Sequence, residues 1–224
     1  MKAWLHSVRV LIWKDLVQEW RSRDILTSML AFAVLSLFIF NYALELSPIN
    51  RADIAPGIVW VVMVFAGTLG LNRSFTAEQD QGCFEGLIMA VPDLSAIYFA
   101  KLLTNLLMMV FLAVLVIPIY SVLYNQSLFN WAFFGVLALG SWGYSAAGTL
   151  IASMTVQTRM RDLLLPVLLF PLLLPVNMAV VKSCGVLLGS VAGQDINGWL
   201  NLLLVYDVIV TMLSIMVFEY VIQE

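Results

Sequence analysis

Residues 102–158, LLTNLLMMVFLAVLVIPIYSVLYNQSLFNWAFFGVLALGSWGYSAAGTLIASMTVQT, run without a single charged side chain. As helix this stretch would be about 85 Å long, more than twice the ~30 Å hydrocarbon thickness of a bilayer. It divides into two spans, 97–124 and 129–154, with only a short connection between them. Ile25–Leu44, Ile54–Asn72 and Leu163–Val181 are also free of charge and long enough to cross. Hydrophobic residues make up 62% of the 224-residue chain, charged residues 11%, and mean hydropathy is +0.97. An average soluble domain has about 25% charged residues, so an ordinary soluble protein is excluded.

The pattern predicts an all-α polytopic membrane protein formed as one transmembrane domain over residues 1–224. Six spans are expected at 25–44, 54–71, 97–124, 129–154, 163–181 and 199–222, preceded by an interfacial helix over 2–22. The first run exceeds a signal-peptide core and no small-residue cleavage site closes it, so it reads as a retained span. Nine basic residues (Lys2, Arg9, Lys14, Arg21, Arg23, Arg73, Lys101, Arg159, Arg161) fall on one side of this arrangement and two (Arg51, Lys182) on the other. The positive-inside rule then places both termini, loop 72–96 and loop 155–162 in the cytoplasm.

A net charge of -3 offers no basic field for nucleic acid. Cys83 and Cys184 are too few for a disulfide framework and lie on opposite sides of the predicted membrane, so each reads as an unpaired thiol. His6 is the only histidine, which excludes a bis-histidine haem site within one chain. Met63, Met89, Met108, Met109, Met154, Met178, Met212 and Met216 read as core packing.

In residues 2–22, Trp4, Leu5, Val8, Leu11, Ile12, Leu16 and Trp20 recur at helical spacing, while Lys2, Arg9, Lys14, Asp15, Glu19 and Arg21 lie mostly elsewhere on the wheel. That predicts an amphipathic helix along the cytoplasmic interface, serving as an anchor or as a docking surface. Loop 72–96 mixes Phe75, Phe84, Leu87, Ile88 and Met89 with Glu78, Asp80, Glu85 and Asp93. Short helices interrupted at Gly82 and stopped before Pro92 are expected there. Their apolar face needs cover, and the acids favour a soluble partner over the anionic leaflet.

Inside the bilayer, Ser141, Ser145, Thr149 and Ser153 repeat every four residues beside small residues, a pattern for close helix packing. Pro166, Pro171 and Pro175 should kink or break the fifth span, and Gly185, Gly189 and Gly193 beyond it are compatible with a re-entrant hairpin. Lys101 can reach the interface or pair with Glu85 or Asp93. Asp207, about two turns into the last span, must be protonated, paired or facing water or a partner, which makes it a functional candidate.

No Gly-Lys dipeptide occurs, so no P-loop exists in this chain; GxSxG and HExxH are also absent. Any ATPase must be a separate polypeptide. Ile54-Ala55-Pro56-Gly57-Ile58-Val59-Trp60, Arg73-Ser74-Phe75, Gln81-Gly82-Cys83-Phe84-Glu85-Gly86-Leu87-Ile88, Ala100-Lys101 and Pro171-Leu172-Leu173-Leu174-Pro175, in that order and spacing, resemble the CcmB family, the haem exporter protein B subunits of the cytochrome c maturation ABC transporter. The resemblance covers nearly the whole chain.

It implies an ABC-2-like exporter permease of the bacterial inner membrane that works with the ATPase CcmA, a second copy of CcmB, CcmC and CcmD, and indirectly with the haem chaperone CcmE. ATP and Mg would be held by CcmA and haem by another subunit, with no cofactor on this chain. Arg73, Phe75, Glu78, Gln81, Gly82, Glu85, Leu87 and Lys101 would then couple the ATPase to the spans. A secondary carrier and a purely structural assembly subunit are the rival readings. The first lacks a clear internal repeat and has only Asp207 as a coupling acid.

Overall fold

The computed structural model describes residues 2–45, 51–80, 93–125, 128–155, 158, 160–189 and 195–223. These form eight helices in chain order: α1 (Lys2–Ser22), α2 (Asp24–Glu45), α3 (Arg51–Asp80), α4 (Leu94–Tyr124), α5 (Trp131–Thr155), α6 (Arg161–Leu172), α7 (Leu174–Leu187) and α8 (Ile196–Gln223). Five of them, α2, α3, α4, α5 and α8, are long and apolar enough to span a membrane, and α6 with α7 makes a sixth, bent span. The chain is therefore an all-helical, multi-pass membrane protein.

Helix α5 is the centre of the bundle, touching α3, α4, α6, α7 and α8. Its sequence explains the position. Gly140, Gly143 and Gly148 let Trp60 and Val180, Asp207, and Leu71 respectively sit where a Cβ would stand. Ser141, Ser145, Thr149 and Ser153 are all buried on the same helix. Small residues matter here because lipid supplies no hydrophobic drive for helix association, and close backbone approach replaces it.

Polar side chains then stitch neighbouring helices: Trp60 Nε1 donates to Asn177 Oδ1 (2.8 Å), Asn105 Nδ2 to Thr149 Oγ1 (3.0 Å), and Trp142 Nε1 to Thr211 Oγ1 (3.1 Å). Tyr98 and Tyr124 donate their hydroxyls to the carbonyls of Ala146 and Leu37.

The fifth span breaks at Leu173, where α6 and α7 meet at 59°. Pro171 lies inside α6 and Pro175 in the first turn of α7, so the backbone loses two donors around one residue. The carbonyl of Leu172 is satisfied by the hydroxyl of Tyr206 at 2.9 Å, as the lack of water in hydrocarbon requires. Pro166 stands within α6 without ending it. The helix beyond the break runs on to Leu187, so Gly185 and the half-buried Lys182 lie within α7. Gly189 follows with a φ of +74°, a conformation that favours glycine, and Gly193 lies outside the described residues.

Three other expectations need correction. First, α3 does not end at residue 71 but continues as one helix to Asp80, so the first part of loop 72–96 extends a span. Second, the buried face of α1 is Val8, Leu11 and Glu19 with Trp4 and Asp15 partly covered, while Leu5 and Trp20 are exposed. Tertiary contact with α4, rather than apolar character alone, selects that face. Third, Met63, Met108 and Met109 are buried, but Met154, Met178, Met212 and Met216 are exposed on the surface of the bundle. In a lipid-facing protein, helical periodicity does not distinguish an inward from an outward apolar residue.

Gly140→Ala tests the close packing. Its Cβ would strike Val180 and the Trp60 ring (2.9 Å to Cη2), and that ring is held by Asn177. A loss of about 1–3 kcal/mol is expected on thermal unfolding in detergent, whereas Gly135→Ala, with open space around it, should be neutral or slightly stabilising.

Candidate functional site

Arg73 and Lys101, of the sequence-predicted coupling residues, lie at the end of the bundle where α1 lies. Helix α1 turns into α2 at Arg23, whose φ of 57° is left-handed. The turn is held by Glu19. Its Oε1 accepts from the backbone N–H of Leu26 at 2.8 Å and so caps the first turn of α2, whose leading N–H groups have no partner within the helix. Asp93 does the same for α4, accepting from both the backbone N–H and the hydroxyl of Ser95. Ser95 Oγ in turn accepts from Trp4 Nε1 at 2.9 Å, and the Trp4 ring meets Phe99 edge-on at 5.4 Å.

The strongest charge contact at this end is an ion pair between Lys101 Nζ on α4 and Asp15 Oδ2 on α1, 3.1 Å long. Both side chains are nearly buried, at 5% and 9% exposure. Lys101 Nζ also donates to the Ser74 carbonyl on α3 at 3.3 Å. Lys101 therefore ties α1, α3 and α4 together. The Asp93 alternative is overturned, because that carboxylate is engaged as the cap of α4. The Asp15 carboxylate was missed because it was assigned to the polar face of an interfacial helix. The available signal was its spacing: Val8, Leu11, Asp15 and Glu19 fall on one helical stripe.

Arg73 is exposed at the same end, one residue from Ser74. Phe75 and Glu78 lie on the α3 extension, with side chains outside the described residues; Gln81, Gly82, Glu85 and Leu87 lie outside them altogether, as does Cys83. His6 is exposed on α1. Among the described residues, no group of three His, Cys, Asp or Glu side chains is placed to hold a metal ion.

Asp207 belongs to a different part of the molecule. It stands at the centre of the 23-residue run Ile196–Phe218, deeper than two turns because α8 starts earlier than the predicted span. Its side chain is 5% exposed, packs on the Cα of Gly143, and neither carboxylate oxygen has a hydrogen-bond partner among the described residues. It borders a shallow apolar groove with Trp142, Leu204, Val208, Thr211 and Met212. Of the hydroxyl stripe on α5, Thr149 accepts from Asn105 and Ser153 donates to the Leu150 carbonyl; Ser141 and Ser145 have no partner among the described residues.

Two measurements follow from this geometry. Asp15 Oδ1 also lies 3.3 Å from Lys14 Nζ, yet Asp15→Asn or Lys101→Met alone removes one side of the buried pair and should reduce stability by up to about 3–5 kcal/mol, while the double change Asp15→Leu with Lys101→Met should lose less than the sum, read as non-additive melting shifts in detergent. Burial raises the Glu19 carboxyl above its ordinary range, with Asp24 adding to the rise against the backbone N–H groups of Leu26 and Ile25 and the charge of Arg73. The folded protein then holds this proton more tightly than the unfolded chain does. Its contribution is present at pH below the ordinary carboxylate value and is lost as pH rises through the raised one, so Glu19→Gln should flatten that part of the stability profile.

The family model described as CcmB protein matches residues 6–223. A "Heme exporter protein B" of Rhodobacter capsulatus is 32% identical over 125 residues, covering 55% of this chain and 57% of that protein. A "Heme exporter protein B" of Pseudomonas aeruginosa is 26% identical over 176 residues, 78% of each chain. The first match thus covers little more than half the relative's length and the second more than three quarters. With multiple helices suited to crossing a membrane and a family match over almost its whole length, this chain belongs to the CcmB family.

Proposed function

We propose that this chain is the transmembrane subunit of an ABC transporter complex for cytochrome c biogenesis, converting ATP hydrolysis on a separate ATPase subunit into work on haem delivery. The partners in this reading are CcmA, a second CcmB copy, CcmC and CcmD, with CcmE acted on indirectly. The chain sits in a bacterial inner membrane with both termini in the cytoplasm. ATP and Mg belong to CcmA.

The observation that carries the reading is the mechanical continuity of the α1 end. Helix α3 extends without a break from the span to Asp80, and Lys101 links α1, α3 and α4 at one point. A pull on the segment from Arg73 to Leu87 would pass into three helices at once, because packed helices move as rigid bodies. Haem export and release of haem-loaded CcmE are the two outputs considered. The exposed position of His6, outside the bundle core, favours the second, with haem held on a neighbouring subunit.

Purification of the chain co-expressed with its genomic neighbours, with subunit masses, haem absorbance and ATPase activity recorded, tests this. An ATPase-bearing complex whose haem follows another subunit is expected. A chain that purifies alone and transports without ATP would replace the reading with a secondary carrier. Glu85→Arg should leave membrane insertion intact and weaken co-purification of the ATPase, and undiminished co-purification would remove Glu85 from the coupling role.

A further inference from the structure

A cavity of about 370 Å³ opens at the α1 end between α1, α2, α3 and α4. Its wall changes character with depth in the same direction on three helices. On α4 the order is Lys101, then Thr104 and Asn105, then Met108 and Met109. On α3 it is Ser74 and Arg73, then Leu71 and Gly70, then Gly67; on α2 it is Asp24, Ile25, then Met29. Helical rise makes this a descent of about 10 Å from the bundle end.

The mouth residues Gln18, Ser22, Asp24 and Arg73 are exposed, while the floor residues Met29, Leu71, Met108, Met109 and Tyr144 are buried. Between them Thr104 is 5% exposed, and its hydroxyl has no hydrogen-bond partner among the described residues. A sealed, unsatisfied hydroxyl in the wall of a cavity is a position where a ligand acceptor or donor belongs.

We propose that this cavity binds the headgroup end of a phospholipid carrying a primary amine, of the phosphoethanolamine type. A phospholipid has the same polarity sequence as the wall: charged head, ester carbonyls, then hydrocarbon. Asp15 is paired with Lys101 and with Lys14, so the charges left among the lining residues are the buried Glu19 and the exposed Asp24 against Arg73. One cation beside two carboxylates fits a zwitterion. The guanidinium takes the phosphate and the carboxylates take the ammonium through charge-assisted hydrogen bonds.

A choline head has no N–H to donate, and a purely anionic head would meet the two carboxylates with like charge. Thr104 supplies the hydroxyl at the level of the esters. Gly67 and Gly70 let Met109 with Tyr144, and Met29 with Ile25, form the floor, since a Cβ at either would meet Met109 Sδ (2.5 Å) or Met29 Sδ (2.6 Å). Occupancy would pack lipid against the α1–α2 turn, the segment that Glu19 caps.

The probe is the full chain in nanodiscs of equimolar phosphatidylethanolamine, phosphatidylcholine and phosphatidylglycerol, with the lipids retained after mild detergent release counted by native mass spectrometry. Phosphatidylethanolamine should be retained over each of the others by about tenfold, the ratio one charge-assisted hydrogen bond supports. Asp24→Asn, at an exposed position, should reduce that excess, whereas Arg73→Gln and the near-isosteric Thr104→Val, which face the phosphate and the esters common to all three lipids, should lower the retention of all three. Gln18→Ala at the rim should do neither.

Equal retention of the three lipids, an excess unchanged in the Asp24 variant, or total retention unchanged in both the Arg73 and Thr104 variants overturns the proposal. Displacement of the retained lipid by soluble phosphoethanolamine would also overturn it, by making a free zwitterion the ligand.

Discussion

Hydrocarbon offers no hydrogen-bond partner, and this constraint organises the molecule. Each polar group that enters the bundle must be met from within. The requirement sets the tyrosine hydroxyls on the carbonyls of Ala146, Leu37 and Leu172, and the Trp60 and Asn105 contacts across helix pairs. It governs the break at Leu173 as well. Two prolines remove backbone donors around Leu173, and the hydroxyl of Tyr206 from α8 meets the carbonyl of Leu172 beside that break.

The same constraint explains why α1 is part of the bundle. An interfacial helix alone would keep its charges in the headgroup region. Here Asp15 and Glu19 turn inward, one neutralising Lys101 and the other capping α2. Three helices consequently share one buried cation. Breaking that pair strands a charge, so α1 cannot be displaced without either carrying Lys101's environment with it or exposing the pair to water. In the function proposed above, such a joint would carry motion from a separate ATPase into the bundle. Asp207 marks the contrasting case, a buried carboxylate at mid-span whose oxygens find no partner among the described residues.

Much of the architecture is legible in the primary structure because the signals are long and additive. Charge-free runs such as 102–158 state the number and order of the spans without reference to any contact. The proline triplet locates the break to within a few residues. The small-residue pattern on α5 corresponds to a central helix, with Gly140, Gly143 and Gly148 each abutted by a different neighbour. What could not be read were pairings between distant positions. Sequence proximity suggests Glu85 or Asp93 for Lys101, whereas the structure gives it Asp15 on α1, with Glu85 outside the described residues. The exposed methionines of α8, Met212 and Met216, read as core in the sequence because an apolar side chain looks the same whether it faces protein or lipid.

The sequence by itself determined that this chain is a multi-pass helical membrane protein, and its motifs carried the resemblance to CcmB. Those properties depend on composition and local periodicity, which act within one helix at a time. Only the tertiary structure decided which face of α1 is buried, where α3 ends, which acid neutralises Lys101, and that a graded cavity lies between the first four helices. These depend on which helices meet, and that choice is made by steric fit at glycines and by the satisfaction of polar groups across many residues of separation.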